Sequence, residues 1–256
     1  MENTMRKKLL NGQQVIGTFF ESGTASMAEC LGLAGMDFLI IDTEHGPFDV
    51  ESAMDFVRAA DLRGITPLAR IKDCTRPSVL KMLDIGVQGL IIPCINTVDE
   101  VKKLVEYGKY YPKGLRGFAF GREAGWGFAD FARDVPSYFA TCNRETMIIP
   151  QCETSGCLAQ IEEVVAVDGV DGIFVGPYDL SVALGKPAVF NTPEFLAALE
   201  RILKACKAAG KPCLIYAADV AGARARLAQG FDGIAYSMDT IVYIETFKKL
   251  LADLRG

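Results

Sequence analysis

The chain has 256 residues, half of them hydrophobic, and a formal net charge of −5. A nucleic-acid groove or a surface that binds anionic membranes needs a clustered basic face, which this composition does not favour. No run is long and apolar enough to cross a bilayer, and the basic N-terminus is not followed by the apolar segment of a signal peptide. The composition therefore favours a protein that acts on small molecules, without nucleic-acid or membrane partners.

The chain contains eight cysteines, several of them inside apolar runs and none in a C-x-x-C pair. This usage is typical of reduced core thiols in a cytoplasmic protein. Because the chain has one histidine and no cysteine spacing of the zinc-binding type, a structural zinc centre is not expected. The cysteines thus predict a cytoplasmic location.

Eight short apolar runs alternate with amphipathic segments along the chain. The predicted strands cover residues 15–20, 38–41, 67–71, 90–95, 147–152, 172–175, 213–217 and 233–237. Runs of Ile, Val and Leu, each followed by a helix, are typical of parallel strands buried on both faces. The pattern predicts an α/β fold, a (β/α)8 TIM barrel in one domain over residues 1–256. A doubly wound sheet is the alternative, but the Gly-rich phosphate loop expected after its first strand is missing.

One connection is much longer than the others. Residues 110–144 are predicted to be irregular and are rich in Gly, Arg and aromatic residues. In a compact domain, a connection of this length usually serves as a lid, a binding loop or a subunit contact. The sequence alone leaves these three roles open.

Polar residues follow the predicted strands at the end where a barrel carries its active site. His45, the only histidine, follows the second strand, and Asp42 lies close enough to hold one imidazole nitrogen. Such a pair can act as a general base and the group that orients it, although a lone histidine more often only makes local hydrogen bonds. Arg70 ends the third strand and could donate to a ketone or enolate oxygen, with an ordinary ion pair as the alternative.

Two carboxylates follow consecutive strands, Glu153 after the fifth and Asp179 after the sixth. Both could bind one divalent cation such as magnesium or manganese, which prefers oxygen ligands and keeps exchangeable positions. The alternative is that each acid caps the helix after it. The residues Gly176, Pro177 and Tyr178 predict a tight turn whose N–H groups could face a small carboxylate.

Together these pieces resemble the metal-dependent pyruvate aldolases of the HpcH/HpaI class, within the phosphoenolpyruvate/pyruvate barrel superfamily. The resemblance covers nearly the whole chain. It rests on D-x-E-H-G from Asp42, L-A-R-I around Arg70, L-D-I-G around Asp84, Q-x-E from Gln151 and G-P-x-D-L-S from Gly176. It implies an enzyme that reversibly cleaves a 4-hydroxy-2-keto acid to pyruvate and an aldehyde through a metal-stabilised pyruvate enolate.

The resemblance also implies roles for individual residues. Glu153 and Asp179 would bind the metal, most readily Mg²⁺ or Mn²⁺, with Co²⁺ or Zn²⁺ as further options. Arg70 would contact the pyruvyl oxygen, and Gln151 with the turn at 176–178 would lie beside the substrate.

The acid–base pair and the assembly follow from the same resemblance. His45 with Asp42 would be the acid–base pair. Asp84, which its place on a helix alone would make a surface acid, would reach the active site of a neighbouring subunit. The last helix would pack onto a partner subunit or exchange with it, in a hexamer built as a trimer of dimers.

Two other functions remain open. A citramalyl- or malyl-CoA lyase of the same superfamily would share the arginine and the two acids, but the D-x-E-H-G setting of His45 favours the aldolase. A metabolite-binding barrel without turnover is the second alternative. A mechanism through a lysine Schiff base is not predicted, because no lysine ends a predicted strand. Lys72 lies just beyond the third strand. Departures from the family pattern at Cys152, Tyr178 and Tyr216 flank the expected pocket and leave the aldehyde undetermined.

Overall fold

The structure is a computed structural model, and it describes residues 2–256. Within that range eight parallel strands close into a barrel in sequence order, with the eighth strand paired to the first. The strands are β1 (Val15–Phe20), β2 (Phe38–Asp42), β3 (Thr66–Arg70), β4 (Gly89–Ile92), β5 (Met147–Cys152), β6 (Ile173–Val175), β7 (Cys213–Ala217) and β8 (Gly233–Met238). The predicted TIM barrel is confirmed.

Helices follow the strands and pack on the outside of the barrel. They are α1 (Thr4–Leu10), α2 (Ala25–Leu33), α3 (Val50–Arg63), α4 (Arg76–Asp84), α5 (Val98–Gly108), α6 (Val135–Glu145), α7 (Ser155–Ala159), α8 (Ile161–Ala166), α9 (Pro177–Ala183), α10 (Pro193–Ala208), α11 (Val220–Gln229) and α12 (Asp239–Arg255). Short 3₁₀ segments lie at Arg122–Gly127 and Asp130–Ala132. Within residues 2–256, none of the helices is long and apolar enough to span a membrane.

The strands divide their apolar side chains between two cores. In β2, Phe38 and Ile40 point into the barrel, whereas Leu39 and Ile41 pack against the surrounding helices. This alternation follows from the period of two in a strand and leaves both faces of the sheet dry. It explains why the strands read as continuous apolar runs in the sequence.

Helix α1 covers the amino-terminal end of the barrel. Met5 is fully buried among the inward-facing strand residues, and its backbone N–H donates to Oγ1 of Thr66 at 3.1 Å. The barrel interior is therefore covered at this end, and its mouth lies at the carboxyl ends of the strands.

The prediction of core thiols holds for most of the cysteines, whereas Cys30 and Cys94 are exposed and Cys74 is half-buried. All eight are free thiols, and five of them are buried. Cys152 and Cys157 belong to the core between the strands and the helices. They pack there as small apolar side chains.

The prediction of an irregular stretch over 110–144 was wrong for its last part, which forms the helix α6. Asp134 caps this helix by accepting the backbone N–H of Ser137 at 2.9 Å. Pro136 lies in the first turn, where a missing N–H costs nothing. This proline therefore marks the start of a helix inside the segment that was predicted to be irregular.

The rest of this segment is fixed by the buried side chain of Arg116, which is 1% exposed. Its Nη2 lies 2.8 Å from Oδ1 of Asp84 and 3.4 Å from Oε1 of Glu123, and its guanidinium carbon lies 4.6 Å from the ring centroid of Tyr110. Since α4 runs back towards the amino ends of the strands, Asp84 lies at the end of the barrel opposite the mouth. Arg116 and Glu123 are therefore not part of a lid over this chain's own mouth.

We predict that Arg116→Ala lowers the free energy of unfolding by about 3 kcal/mol, because it leaves the buried carboxylate of Glu123 without its cation. Chemical denaturation would measure the loss. Arg133→Ala is the matched control, since Arg133 pairs with Asp130 in solvent with its side chain 76% exposed. Equal stability of the two variants would contradict the structural role of Arg116.

Candidate active site

The carboxyl ends of β2 and β3 carry a buried ion pair. The register of the two strands sets Asp42 opposite Arg70. Arg70 donates from Nε to Oδ1 of Asp42 at 2.9 Å and from Nη2 to Oδ2 at 2.5 Å, and the Asp42 side chain has no exposed surface. The guanidinium carbon also lies 4.8 Å from the ring centroid of Phe19. Arg70 is thus held in one orientation at the barrel mouth.

Asp42 does not hold the imidazole of His45, contrary to the sequence prediction. Its carboxylate reaches His45 only through the backbone N–H, at 3.4 Å. The physical reason is the strand register, which gives both Asp42 oxygens to Arg70. The imidazole is 68% exposed, and its Nε2 lies 3.8 Å from Oε2 of Glu44.

Glu44 is a site residue to which the sequence analysis assigned no role. Its Oε2 lies 3.3 Å from Nη1 of Arg70, so it stands between the guanidinium and the imidazole of His45. Burial raises the pKa of the Glu44 carboxyl, while the positive charges of Arg70 and His45 act in the opposite direction. Its place in the D-x-E-H-G motif was the signal that could have identified it.

Glu153 lies in a buried polar environment after β5, with 4% of its surface exposed. Its Oε1 accepts the backbone N–H of Cys94 at 2.8 Å, and its Oε2 accepts the side-chain amide of Gln151. Burial raises the pKa of Glu153, whereas these two hydrogen bonds lower it. The negative charges of Asp179 and Glu44 raise this pKa further. A cation at this place would relieve the repulsion among the three carboxylates.

Cys94 was also missed by the sequence analysis. It has a positive φ of 57°, which is uncommon for a residue other than glycine. The bend aims its N–H at Glu153, and its Sγ lies 3.9 Å from Oε1 of Glu44. Nothing in the local sequence predicts this backbone conformation.

The tight turn predicted after β6 is the first turn of a helix. Gly176 is at the cap position of α9, Pro177 is its first residue, and Asp179 lies in its first turn. The alternative role of Glu153 and Asp179 as helix caps is not seen, because Thr154 caps α7 by accepting the N–H of Cys157 and α9 has no side-chain cap. Neither carboxylate is therefore used as a helix cap, and Glu153 keeps lone pairs beyond the two hydrogen bonds that it accepts from Cys94 and Gln151.

The donor set fits a hard divalent cation. A Cβ at Gly176 would lie 2.5 Å from Oε2 of Glu153, so glycine keeps open the space in front of this carboxylate. The buried Oε1 of Gln151 has no hydrogen-bond partner. Within residues 2–256, no three His, Cys, Asp or Glu side chains gather into a ready-made metal cluster. Two carboxylates that leave positions for substrate and water match the ligand habits of Mg²⁺ or Mn²⁺.

A cavity of about 370 Å³ opens at the barrel mouth. The predicted site residues that line it are His45, Arg70, Gln151, Gly176, Pro177, Tyr178 and Asp179. Asp42 and Glu153 lie behind this surface, where they hold Arg70 and Gln151. Asp84 lies at the opposite end of the barrel, paired with Arg116, and takes no part in this cavity.

A closed (β/α)8 barrel with an arginine, a histidine and paired acids at its strand ends defines a TIM-barrel enzyme. Residues 15–246 match the model of the HpcH/HpaI aldolase/citrate lyase family, and the chain belongs to that family. The resemblance drawn from the motifs is confirmed. The protein is accordingly an enzyme of the carbon–carbon lyase class.

Individual relatives agree with this assignment. The chain is 32% identical over 254 residues to the 2-keto-3-deoxy-L-rhamnonate aldolase of Klebsiella pneumoniae, covering 98% of this chain and 93% of the relative. A crystal structure of an HpcH/HpaI aldolase/citrate lyase family protein from Burkholderia cenocepacia superposes with a TM-score of 0.92 at 31% identity, covering 99% and 100% of the two chains. A citrate synthase matches at 25% identity with a TM-score of 0.88, covering 99% and 98%.

We predict that Gly176→Ala weakens the binding of Mn²⁺ by at least about tenfold, because the added methyl group displaces the Glu153 carboxylate. Isothermal titration with Mn²⁺ would measure the change. Gly222→Ala is the matched control: its Cβ would meet nothing nearer than 3.4 Å, on helix α11 away from the cavity. Unchanged Mn²⁺ affinity in Gly176→Ala would show that Glu153 is not a ligand of the metal.

Proposed function

We propose that the protein is a divalent-metal-dependent aldolase that reversibly cleaves a 4-hydroxy-2-keto acid of the 2-keto-3-deoxy type into pyruvate and an aldehyde. The observation that carries the proposal is that Arg70, His45 and Asp179 line the same cavity, at the mouth of a barrel of this family. The relative from Klebsiella pneumoniae, named for the same reaction class, supports it.

In this proposal Glu153 and Asp179 hold the cation, with Mg²⁺ or Mn²⁺ preferred over Co²⁺ or Zn²⁺ because the donors are hard oxygens. When bound, the cation supplies Lewis acidity that stabilises negative charge on a 2-keto acid oxygen. The unpartnered Oε1 of Gln151 is available to accept a hydrogen bond from the substrate.

Arg70 stabilises the enolate that forms during cleavage. Its pairing with Asp42 and Glu44 uses some of the five guanidinium N–H donors and leaves others for a ligand in the cavity. When the C3–C4 bond breaks, its electron pair moves into the pyruvate enolate, and Arg70 donates to the oxygen that gains charge. Because Asp42 fixes the guanidinium beforehand, little reorganisation is needed during the reaction.

His45 is the proposed base. It takes the proton from the C4 hydroxyl of the substrate as that carbon becomes the aldehyde carbonyl. The proton then returns to C3 of the enolate, which gives pyruvate and completes turnover. Glu44, 3.8 Å from Nε2, is placed to stabilise the imidazolium in between.

Turnover of free 4-hydroxy-2-keto acids, followed as released pyruvate, tests the proposal. We expect EDTA to abolish cleavage, a divalent ion to restore it, and borohydride with pyruvate to leave no adduct on the protein. Cleavage of CoA thioesters alone would instead favour a citramalyl- or malyl-CoA lyase. No cleavage of either substrate would favour the non-catalytic barrel, and a borohydride adduct would show a Schiff base.

We predict that His45→Ala lowers kcat for aldol cleavage by about 10²- to 10⁴-fold, the usual contribution of a general base. Mn²⁺ affinity is expected to persist, since His45 lies outside the proposed ligand pair. Because the His45 side chain is exposed, the variant is expected to fold like the wild type, and added imidazole should restore part of the rate. Full activity without imidazole would show that another group is the base.

We also propose that copies of the chain assemble through α12, as a hexamer built from dimers in which Asp84 approaches a neighbouring site. The support is the apolar surface that α12 exposes. Its exposed members are Ile241, Val242, Tyr243, Ile244, Phe247, Leu250, Leu251 and Leu254. Such a patch is typical of a protein interface. Analytical ultracentrifugation tests the assembly, and a monomer at micromolar concentration would exclude it.

The free state of the eight cysteines supports a cytoplasmic location, because disulfides are rare in that reducing compartment. Fractionation of the cells that make the protein would test this location. Recovery from an oxidising compartment would contradict it.

A further inference from the structure

The cavity has two chemically different walls. The polar wall carries His45, Arg70, Gln151 and Asp179, the groups proposed for pyruvate chemistry. The other wall is formed by Phe19, Phe174, Tyr178, Tyr216, Met238 and Ile241. A 4-hydroxy-2-keto acid that places its keto acid end on the polar wall directs its other end, the future aldehyde, towards the apolar wall.

The aromatic side chains of this wall contact one another. Phe19 and Phe174 are almost fully buried, so Tyr178, Tyr216, Met238 and Ile241 supply most of its accessible apolar surface. The Phe19 ring centroid lies 6.0 Å from those of Phe174 and Tyr216, and the Tyr178 centroid lies 6.0 Å from that of Tyr216. Phe190 supports Tyr178 from outside the cavity at 5.0 Å, edge to face. These contacts hold the rings in fixed positions, so the surface can accept a flat or aliphatic group without rearrangement.

The described residues of the apolar wall offer no charge that could pair with an anionic tail. Among the described lining residues, Arg70 is the one permanent cation, and Asp42 and Glu44 already pair with it. Asp179 lines the cavity, and its negative charge acts on both Glu44 and Glu153. A carboxylate or phosphate on the aldehyde would meet no cation among the described residues of the apolar wall, and it would lose hydration against the aromatic rings without a compensating charge.

We propose that the acceptor side of this site selects uncharged aldehydes with an aromatic or aliphatic side group over aldehydes that carry a carboxylate or a phosphate. Tyr178 is the main specificity-determining residue, because its ring lines the cavity and is 46% exposed, which leaves surface for a ligand to cover. This inference rests on the proposed aldolase function and adds the class of its second substrate.

Aldol addition of pyruvate to matched acceptors tests the selection. Butanal and 4-oxobutanoate share a four-carbon chain and differ in the terminal carboxylate, and benzaldehyde adds an aromatic side group. We expect kcat/KM for butanal and for benzaldehyde to exceed that for 4-oxobutanoate by at least about tenfold, because the apolar wall leaves the terminal carboxylate without a compensating charge. Equal or higher kcat/KM for 4-oxobutanoate would overturn the inference.

Variants at position 178 test whether Tyr178 determines the preference among aldehydes. Tyr178→Ala is expected to raise KM for benzaldehyde by about tenfold, as lost burial of roughly 50 Å² of apolar surface predicts. Tyr178→Phe keeps the ring and should restore most of the affinity that the alanine variant loses. Tyr178→Arg adds a cation and should shift the kcat/KM ratio towards 4-oxobutanoate. An unchanged ratio in both the alanine and the arginine variants would exclude Tyr178 as the determinant.

A measurement without any aldehyde separates this inference from the proposed function. Wild-type protein with pyruvate and Mn²⁺ in D₂O should exchange the C3 protons of pyruvate, followed by proton NMR, because enolate formation needs no acceptor. Exchange combined with a preference for 4-oxobutanoate overturns the acceptor class alone. Absence of exchange overturns the proposed aldolase and the acceptor class with it.

Discussion

The buried pair between Asp42 and Arg70 is the interaction on which the site depends. Removing two charges from water is costly, and the cost is offset here by two direct hydrogen bonds in ideal fork geometry. The same carboxylate accepts the backbone N–H groups of Glu44 and His45. One aspartate thus fixes the cation that faces the substrate and also the loop that carries the proposed base. The pair forms because the register of β2 and β3 places these two residues opposite each other. The strand register of the barrel therefore also determines the geometry of the site.

The mouth of the barrel is built with an excess of negative charge. Burial raises the pKa of Glu44 and Glu153, and each carboxylate is destabilised further by its acidic neighbours. Glu21, after β1, shows the same behaviour, since burial and the charges of Asp42 and Asp239 raise its pKa. Replacing buried charged groups of this kind by well-packed apolar residues is often neutral or stabilising. Their retention is consistent with a site that is completed by a cation.

Much of the fold was readable from the sequence, because buried parallel strands and capped helices have strong local patterns. The bounds of β5 and β7 agree with the prediction. The order of the site residues was also readable, since strand ends converge in any barrel. The start of α9 was predicted as a tight turn, because a Gly-Pro pair usually marks one, whereas the helix already begins at Pro177.

Other features depend on tertiary contacts that the sequence does not encode locally. The partner of Asp42 is set by strand register, and the positive φ of Cys94 is stabilised by the buried carboxylate of Glu153, distant in the chain. A motif shows which residues come together but not which atoms pair. This is why His45 was identified and its neighbouring carboxylate was misassigned.

The closed sheet has a consequence for how the protein unfolds. Site groups follow strands all around the barrel, and within the described chain every strand is paired on both sides, so that no edge is free to fray. Opening the ring between β2 and β3 would separate Asp42 from Arg70. At this seam, loss of strand pairing and loss of the ion pair that orients the arginine are the same event.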